Sequence, residues 1–523
     1  MQNSNCFTPR ALALAMLLAG SGGLLYAPAH AALVSSTSHG FNDSASVTDS
    51  HSGSADAGAT GGSLYGSTSL ARFDPTQGVL TGATIGLNSH RSTSIAVTGS
   101  TQNTAAAGSK DATAIGATGS ASLSAPGASA SFGALSRTES CSTNRNGGNC
   151  SAHSNTVNAA TDASLSVAAG SLNAYVQGAP GALSVTRSAD LSASATRNSF
   201  AQAGATFDAR WHGNLQVQYD YLLHSAPSFS TAAAQYTQSV DFGTWFTGSA
   251  PAAQAFVLVN RQLTADAANQ VGLDLDQVSG SGQTAAFSTS LPGSFANLAA
   301  GQALAQTAGL NTAAAGNFAA SYQLAFSDAD TGASASRQGA ADHAADYTLS
   351  LDLSGQVVDH ATASFRADGT QTTLNLDFGT LLQGQTAAGQ SFDIYNLLFG
   401  GPAAALKLYG VSASGDDTHF SLCSPLFASL AAGASHGCSA GFDTSEVGHF
   451  VASYRFDLGD DATGIGGTAQ YASLFLNLSG DVAAAEELSV NQATRVAEPG
   501  TLALLGLPAL AYALRRTRRR QIS

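Results

Sequence analysis

An all-β chain is what this sequence predicts, on three observations. Apolar and polar residues alternate with a period of two, as where Leu349, Leu351 and Leu353 interleave with Ser350, Asp352 and Ser354. Blocks of this kind recur in the same order in the second half of the chain. The composition is one of small side chains broken by turns, with 56 Gly in 523 residues and only 10% charged residues, against about 25% in an ordinary domain. So little charge excludes a coiled coil and a charged disordered tail. The net charge of −14, from 20 Lys+Arg and 34 Asp+Glu, excludes a basic nucleic-acid binder.

Residues 1–31 read as a secretory signal peptide. Arg10 precedes an apolar run from Ala11 to Leu18, a Gly/Ser break, and the Ala-x-Ala cleavage site at Ala29 and Ala31. The expected partners at this end are the export translocon and signal peptidase.

Residues 32–223 are rich in Ser, Ala, Thr and Gly, and composition alone would suggest a disordered stalk. Two segments argue for a β domain instead. SLARFDPTQGVLTGATIG (69–86) has the form strand, Asp-Pro turn, strand. In GNLQVQYDYLL (213–223), Leu215, Val217 and Tyr219 alternate with Gln216, Gln218 and Asp220.

Residues 224–359 and 360–484 are two copies of one unit. VDFGT (240–244) matches LDFGT (376–380), and FVLVN (256–260) matches FDIYN (392–396). GNFAASYQLAF (316–326) matches GHFVASYRFDL (448–458), and YTLSLDLSG (347–355) matches ASLFLNLSG (472–480). Each copy carries several short alternating strands, which predicts an immunoglobulin-like β-sandwich. A linker, 485–496, follows.

Cys6 leaves with the signal, and four cysteines remain, an even number for an oxidising compartment. Cys141 and Cys150 flank STNRNGGN, and Cys423 and Cys438 flank a loop of the second copy. Local pairing is expected, with free thiols or swapped pairing as alternatives. The first copy has Ser290 and Gln306 at the second pair's positions.

Several motifs imitate chemistry. GASHG (433–437) fits a nucleophile elbow with Ser435, but it lacks the strand-turn-helix setting the elbow needs. GIGGTA (464–469) imitates a nucleotide-binding loop and lacks a βαβ unit. Asp328 and Asp330, and Asp460 and Asp461, sit in matching loops and read as solvated turns, with a calcium site as the alternative. The twelve His show no zinc spacing; Asp342-His343 with Asp346, and Asp359-His360, come nearest. No catalytic residue, metal site or cofactor is expected.

The C-terminus, 497–520, is the most specific segment. Val496, Ala497, Glu498, Pro499 and Gly500 precede the apolar run 501–514 and then Arg515, Arg516, Arg518, Arg519 and Arg520. Fourteen helical residues reach about 21 Å, short of a ~30 Å hydrocarbon core. The run therefore reads as a weak transmembrane anchor with its arginines held in the cytoplasm. Without residues 1–31 and 500–523 the chain keeps 14 Lys+Arg and 34 Asp+Glu, a net −20.

This tail resembles the PEP-CTERM sorting signal of exopolysaccharide-producing Gram-negative bacteria, with Ala497 in place of the motif's first Pro. Phe73-Asp74-Pro75, Gly78, Leu80, Thr81 and Gly82, closed by Tyr219 and Tyr221, resemble the choice-of-anchor E domain. The two copies resemble small Ig-like sandwiches of the choice-of-anchor and ASH type. The resemblance implies a non-enzymatic exported protein, processed by an exosortase-type membrane protease and placed in the envelope or exopolymer matrix. Exopolysaccharide is the implied extracellular partner. The rival expectations are a secreted β-sandwich hydrolase acting on polysaccharide, and a calcium-dependent adhesin.

Overall fold

The computed structural model describes residues 32–35, 37–52, 59–101, 108–144, 148–154, 156–423 and 427–485. The signal segment with Ala29 and Ala31, and the tail from Val496 through Pro499 to Arg520, lie outside the described residues. Among the described residues, no helix is long and apolar enough to cross a membrane. The fold is all-β, with three separate hydrophobic cores.

The first core lies between two sheets built from residues 32–222. Two strands dominate one sheet: Val79–Ser100 and Gln202–Leu222 run antiparallel along nearly their whole length. His39–Ser52 and Ala32–Ser35 pair on the far side of Gln202–Leu222. Three short strands, Cys150–His153, Val157–Ala160 and Ala163–Ser166, share the other edge of Val79–Ser100. Ser184–Asn198 centres the opposing sheet, between Ala59–Ser69 on one side and Lys110–Thr118 and Ala121–Ala125 on the other.

Serine and alanine carry the alternation here. In Ser184–Asn198, Ala189, Leu191, Ala193 and Ala195 point inward, while Asp190, Ser192 and Thr196 face solvent. Small inward residues let the sheets close around a few large ones, so Phe207 and Trp211 are fully buried. Gly116 is needed where it stands, because a Cβ there would overlap the Phe207 ring.

A charged residue also stands inward on Ser184–Asn198. Arg187, 1% exposed, donates from Nε to Asp43 at 2.7 Å and from Nη1 to the Thr68 hydroxyl at 2.9 Å. Its guanidinium lies 3.8 Å from the Phe41 ring centroid, and Trp211 and Phe132 continue the file edge-on.

The two copies share one strand order. In the first, Pro227–Ser228, Gln254–Asn260, Ala303–Leu310 and Phe287–Thr289 make one sheet. Phe295–Leu298, Leu273–Gly282, Gly316–Asp328, Thr348–Val358 and Thr237–Phe246 make the other, the last joining in parallel. In the second, Thr362–Ser364, Gln390–Leu397, Ser435–Phe442 and Phe420–Leu422 face Ser429–Leu430, Leu406–Gly415, Gly448–Asp460, Tyr471–Ala483 and Thr373–Leu382, again with the last strand parallel.

Each copy reaches back to the domain before it. From the first copy, Ala335 forms an antiparallel bridge to Leu80 and packs into the first core. From the second, Ile465–Gly466 pairs in parallel with Thr244 and Trp245, adding a strand to the first copy's sheet. The chain crosses each boundary in the same way. Leu223 bridges Gln270 at the first and Asp359 bridges Ala403 at the second, both in parallel.

Candidate functional site

The most elaborate polar sites in the described structure lie at these two joints. Each begins with a histidine just past the boundary. His224 Nδ1 stands 2.7 Å from Asp328 Oδ2, and His360 Nδ1 stands 2.7 Å from Asp460 Oδ2. Both aspartates are fully buried. They lie at the ends of the equivalent strands Gly316–Asp328 and Gly448–Asp460, where the last inward position meets the chain arriving from the preceding domain.

Asp328 also accepts from Ser225 N, Ser225 Oγ and Tyr347 O–H on one oxygen, and from Gln338 N on the other, all at 2.8 Å. Burial works to raise its pKa, but the His224 bond and charge with the backbone N–H donors outweigh it and hold the carboxyl below its ordinary value. Tyr347 is pushed well above a free phenol, first by burial and then by this carboxylate, so it stays a donor. Asp460 accepts from Ala361 N at 2.7 Å and Gln470 N at 2.6 Å.

His224 joins the domains directly. Its Nε2 lies 2.7 Å from the carbonyl of Pro75, in the first domain's Asp-Pro turn, and Gln338 Nε2 donates to the same carbonyl at 3.1 Å. Each nitrogen of the His224 ring thus faces an oxygen acceptor, one from each domain. His360 stacks instead on Phe246 of the preceding copy, with centroids 4.8 Å apart.

An asparagine completes each joint. Asn260 accepts from Ala226 N and donates to Val271 O and Leu298 O. Asn396 accepts from Thr362 N and donates to Ala404 O and Leu430 O. These are the last residues of the matched blocks FVLVN and FDIYN, so a feature read as a repeat marker is a structural latch.

The aspartate loops therefore need correcting. Asp328 and Asp460 are not solvated, and their oxygens already hold N–H and O–H donors that a cation would have to displace. Only Asp330 and Asp461 belong to turns, accepting from Gly332 N and from Thr463. Among the described residues, no group of three or more His, Cys, Asp or Glu is placed to hold a metal ion.

The remaining motifs are resolved by position. Ser435 begins the strand Ser435–Phe442, exposed and paired with Tyr395. Ile465 and Gly466 of GIGGTA form the strand added to the first copy, so their backbone groups are used in pairing. His343 precedes the short helix Ala344–Tyr347, and Asp359 accepts from the Thr247 hydroxyl.

Cys141 and Cys150 form one disulfide and Cys423 and Cys438 the other, with Cα atoms 5.7 and 5.4 Å apart. At the second bridge's position the first copy has a hydrogen bond, Ser290 Oγ to Gln306 Oε1 at 2.8 Å. The backbone pairing is the same: Ser290 N donates to Thr307 O as Cys423 N donates to Ser439 O. Replacing Ser290 and Gln306 together by Cys should therefore close a bridge across a loop of similar length. About 3 kcal/mol of stabilisation is expected in the chain-entropy description. Urea unfolding with and without reductant checks this; a gain that survives reduction would contradict it.

No known protein family matches the chain, and no curated relative does. Similarity to solved structures is faint. The ASH/PapD-like domain of human CEP192 is 16% identical, covering 24% of this chain and 87% of that one, with a TM-score of 0.18. CfaE, the adhesive subunit of the CFA/I fimbria of enterotoxigenic Escherichia coli, is 8% identical over 47% of this chain and 97% of its own, with a TM-score of 0.26. Protocadherin gamma B7 cadherin domains 1–4 are 12% identical with a TM-score of 0.26, and the chain spans about half of that length, 52%. None of these likenesses carries a functional argument.

Proposed function

We propose that this is an exported, non-enzymatic envelope or matrix protein, a spacer that carries binding surfaces away from the membrane and is sorted by its C-terminal tail. The observation that carries the reading is the joint design. Three sandwiches are linked by two buried His–Asp clasps and two back-reaching loops, an economical way to hold domains in line. The two disulfides fit an oxidising compartment outside the cytoplasm. The sorting part rests on the tail sequence, where an exosortase-type protease would read Glu498-Pro499 and remove the helix and arginines. The calcium-dependent adhesin is disfavoured because two of its four proposed ligands, Asp328 and Asp460, already serve as hydrogen-bond acceptors at the joints.

The test is on the tail. Pro lacks an N–H and disfavours helix in the residue before it, so Pro499 should keep extended backbone just outside the membrane, where a protease can bind it. Pro499→Ala should let the helix extend, and full-length chain should accumulate in the inner membrane. Replacing the five arginines, Arg515, Arg516, Arg518, Arg519 and Arg520, by Ser should instead release or misorient the chain. Fractionation with an epitope at residue 490 separates these outcomes. If Pro499→Ala chains are shortened and shed like the parent, the tail is an ordinary anchor.

A further inference from the structure

The duplicated sandwich contains its own control, because corresponding surfaces of the two copies can be compared residue by residue. Their outer sheet faces share a backbone groove. In the first copy it measures about 420 Å³, with Ser239, Ser281, Ser321 and Asp352 in its wall. In the second it measures about 450 Å³, with Asn375, Ser414, Ser453 and Asn477 in the equivalent places. The fold thus supplies the groove twice, and only the side chains differ.

At three outer positions the change runs from polar to aromatic. The second copy carries Tyr409, Tyr471 and Phe475 where the first has Asp276, Asp346 and Ser350. These aromatics are 48%, 71% and 40% exposed, although an aromatic side chain gains most when buried. The two tyrosines meet edge to face with centroids 5.3 Å apart. Tyr409 is held by its hydroxyl to Asp460 O at 2.9 Å, and Lys407 Nζ lies 5.4 Å from its ring centroid. Gly459 lies beneath the pair, where a Cβ would come within 2.7 Å of the Tyr471 ring. Phe475 is on the same strand face as Tyr471, roughly 13 Å further at strand rise.

Between the rings and the groove the charges are already neutralised. Arg455 Nε donates to Asp457 at 2.8 Å and to Ser473 at 3.2 Å. Ser453 Oγ donates to Asn477 Oδ1 and Asn477 Nδ2 to Asn375 Oδ1, both at 2.8 Å. The first copy's Asp352 is replaced here by an amide, which both donates and accepts. Rings that offer a flat apolar face, next to amides and hydroxyls without net charge, suit a polymer with flat C–H faces rimmed by hydroxyl groups. An acidic polymer would meet a strongly acidic chain with no free cation cluster on this face.

We propose that the outer sheet face of the second copy binds a neutral polysaccharide strand, with Tyr471 and Phe475 stacking on sugar rings and Asn375, Ser453 and Asn477 bonding hydroxyls along the groove. This names the partner class for the spacer reading above and rests on that reading for its biological setting.

The test is affinity electrophoresis of the exported full chain in gels holding hydroxyethylcellulose, galactomannan or alginate. Retardation is expected in at least one neutral polymer and not in alginate. Tyr471→Ala with Phe475→Ala should weaken it at least tenfold, whereas Tyr65→Ala, at an exposed tyrosine of the first domain, should not. All three side chains are exposed, so the variants should unfold at the same urea concentration as the parent. No retardation in either neutral polymer, retardation unchanged by the double variant, or stronger retardation in alginate would each overturn the proposal. The gel reads the face alone. A chain that is retarded yet never leaves the inner membrane overturns the sorting reading instead, and a correctly sorted chain that is not retarded overturns this site.

Discussion

Asp328→Ala should cost the first copy about 3–5 kcal/mol, the range for removing one partner of a buried ion pair. The carboxylate serves five donors from four residues, and Ala would remove the acceptor from all of them, those of Ser225 and Tyr347 being buried. The loss should also depend on pH. Because the folded pKa is held below the ordinary carboxylate value, the group stabilises the fold above about pH 4, and that stability is lost as pH falls through the folded value. Parent and variant should therefore differ most near neutrality and converge in acid. Urea unfolding at pH 7 and at pH 3 measures both effects. A difference under 1 kcal/mol at pH 7, or one that grows in acid, would refute the account.

The second large effect is expected in the first domain. Asp43→Ala should destabilise it by about 3–5 kcal/mol, because Arg187 would keep its charge with only the Thr68 hydroxyl and the Phe41 ring for company. Arg187→Met added to Asp43→Ala should recover at least half of that loss, since a packed apolar side chain needs no counter-charge. Denaturant midpoints of the parent, single and double variants decide the matter. A double variant no better than the single would mean that Asp43 acts through packing over Gly66 and not through charge.

Much of this fold was readable because alternation survives in small residues. The strands Gly316–Asp328 and Gly448–Asp460 extend the matched blocks GNFAASYQLAF and GHFVASYRFDL by two residues each. The Cys423–Cys438 bridge and its Ser290–Gln306 counterpart lie where the alignment of the copies puts them. In the first domain the signal was harder to see. Val79–Ser100 runs for 22 residues, and its inward Ser89, Arg91 and Thr93 break the apolar pattern while the strand continues.

The joints were not legible, for a physical reason. A buried aspartate in a polar loop looks the same in sequence as a solvated one, and its histidine partner is about a hundred residues away. One signal was available. His224 and His360 are 136 residues apart, the same offset as the two DFG blocks, and only their shared place at the head of each copy marks them as structural. The strand within GIGGTA was hidden for a similar reason, since its pairing partner belongs to another domain.

The back-reaching loops make the order of the domains directional. Ile465–Gly466 occupies the edge of Thr237–Phe246, so a chain cut before the second copy would lay open Thr244 and Trp245 as unpaired strand edge, together with Phe246 and Val358. Such a fragment would be prone to pair with its neighbours. Cutting from the other end is gentler, because removing the first domain frees Ala335 and the His224 ring but strips no strand from the sheets behind them. As the chain is made, each unit must therefore wait for its successor before its own surface is closed, so the last-made sandwich acts as the stopper for the whole stack.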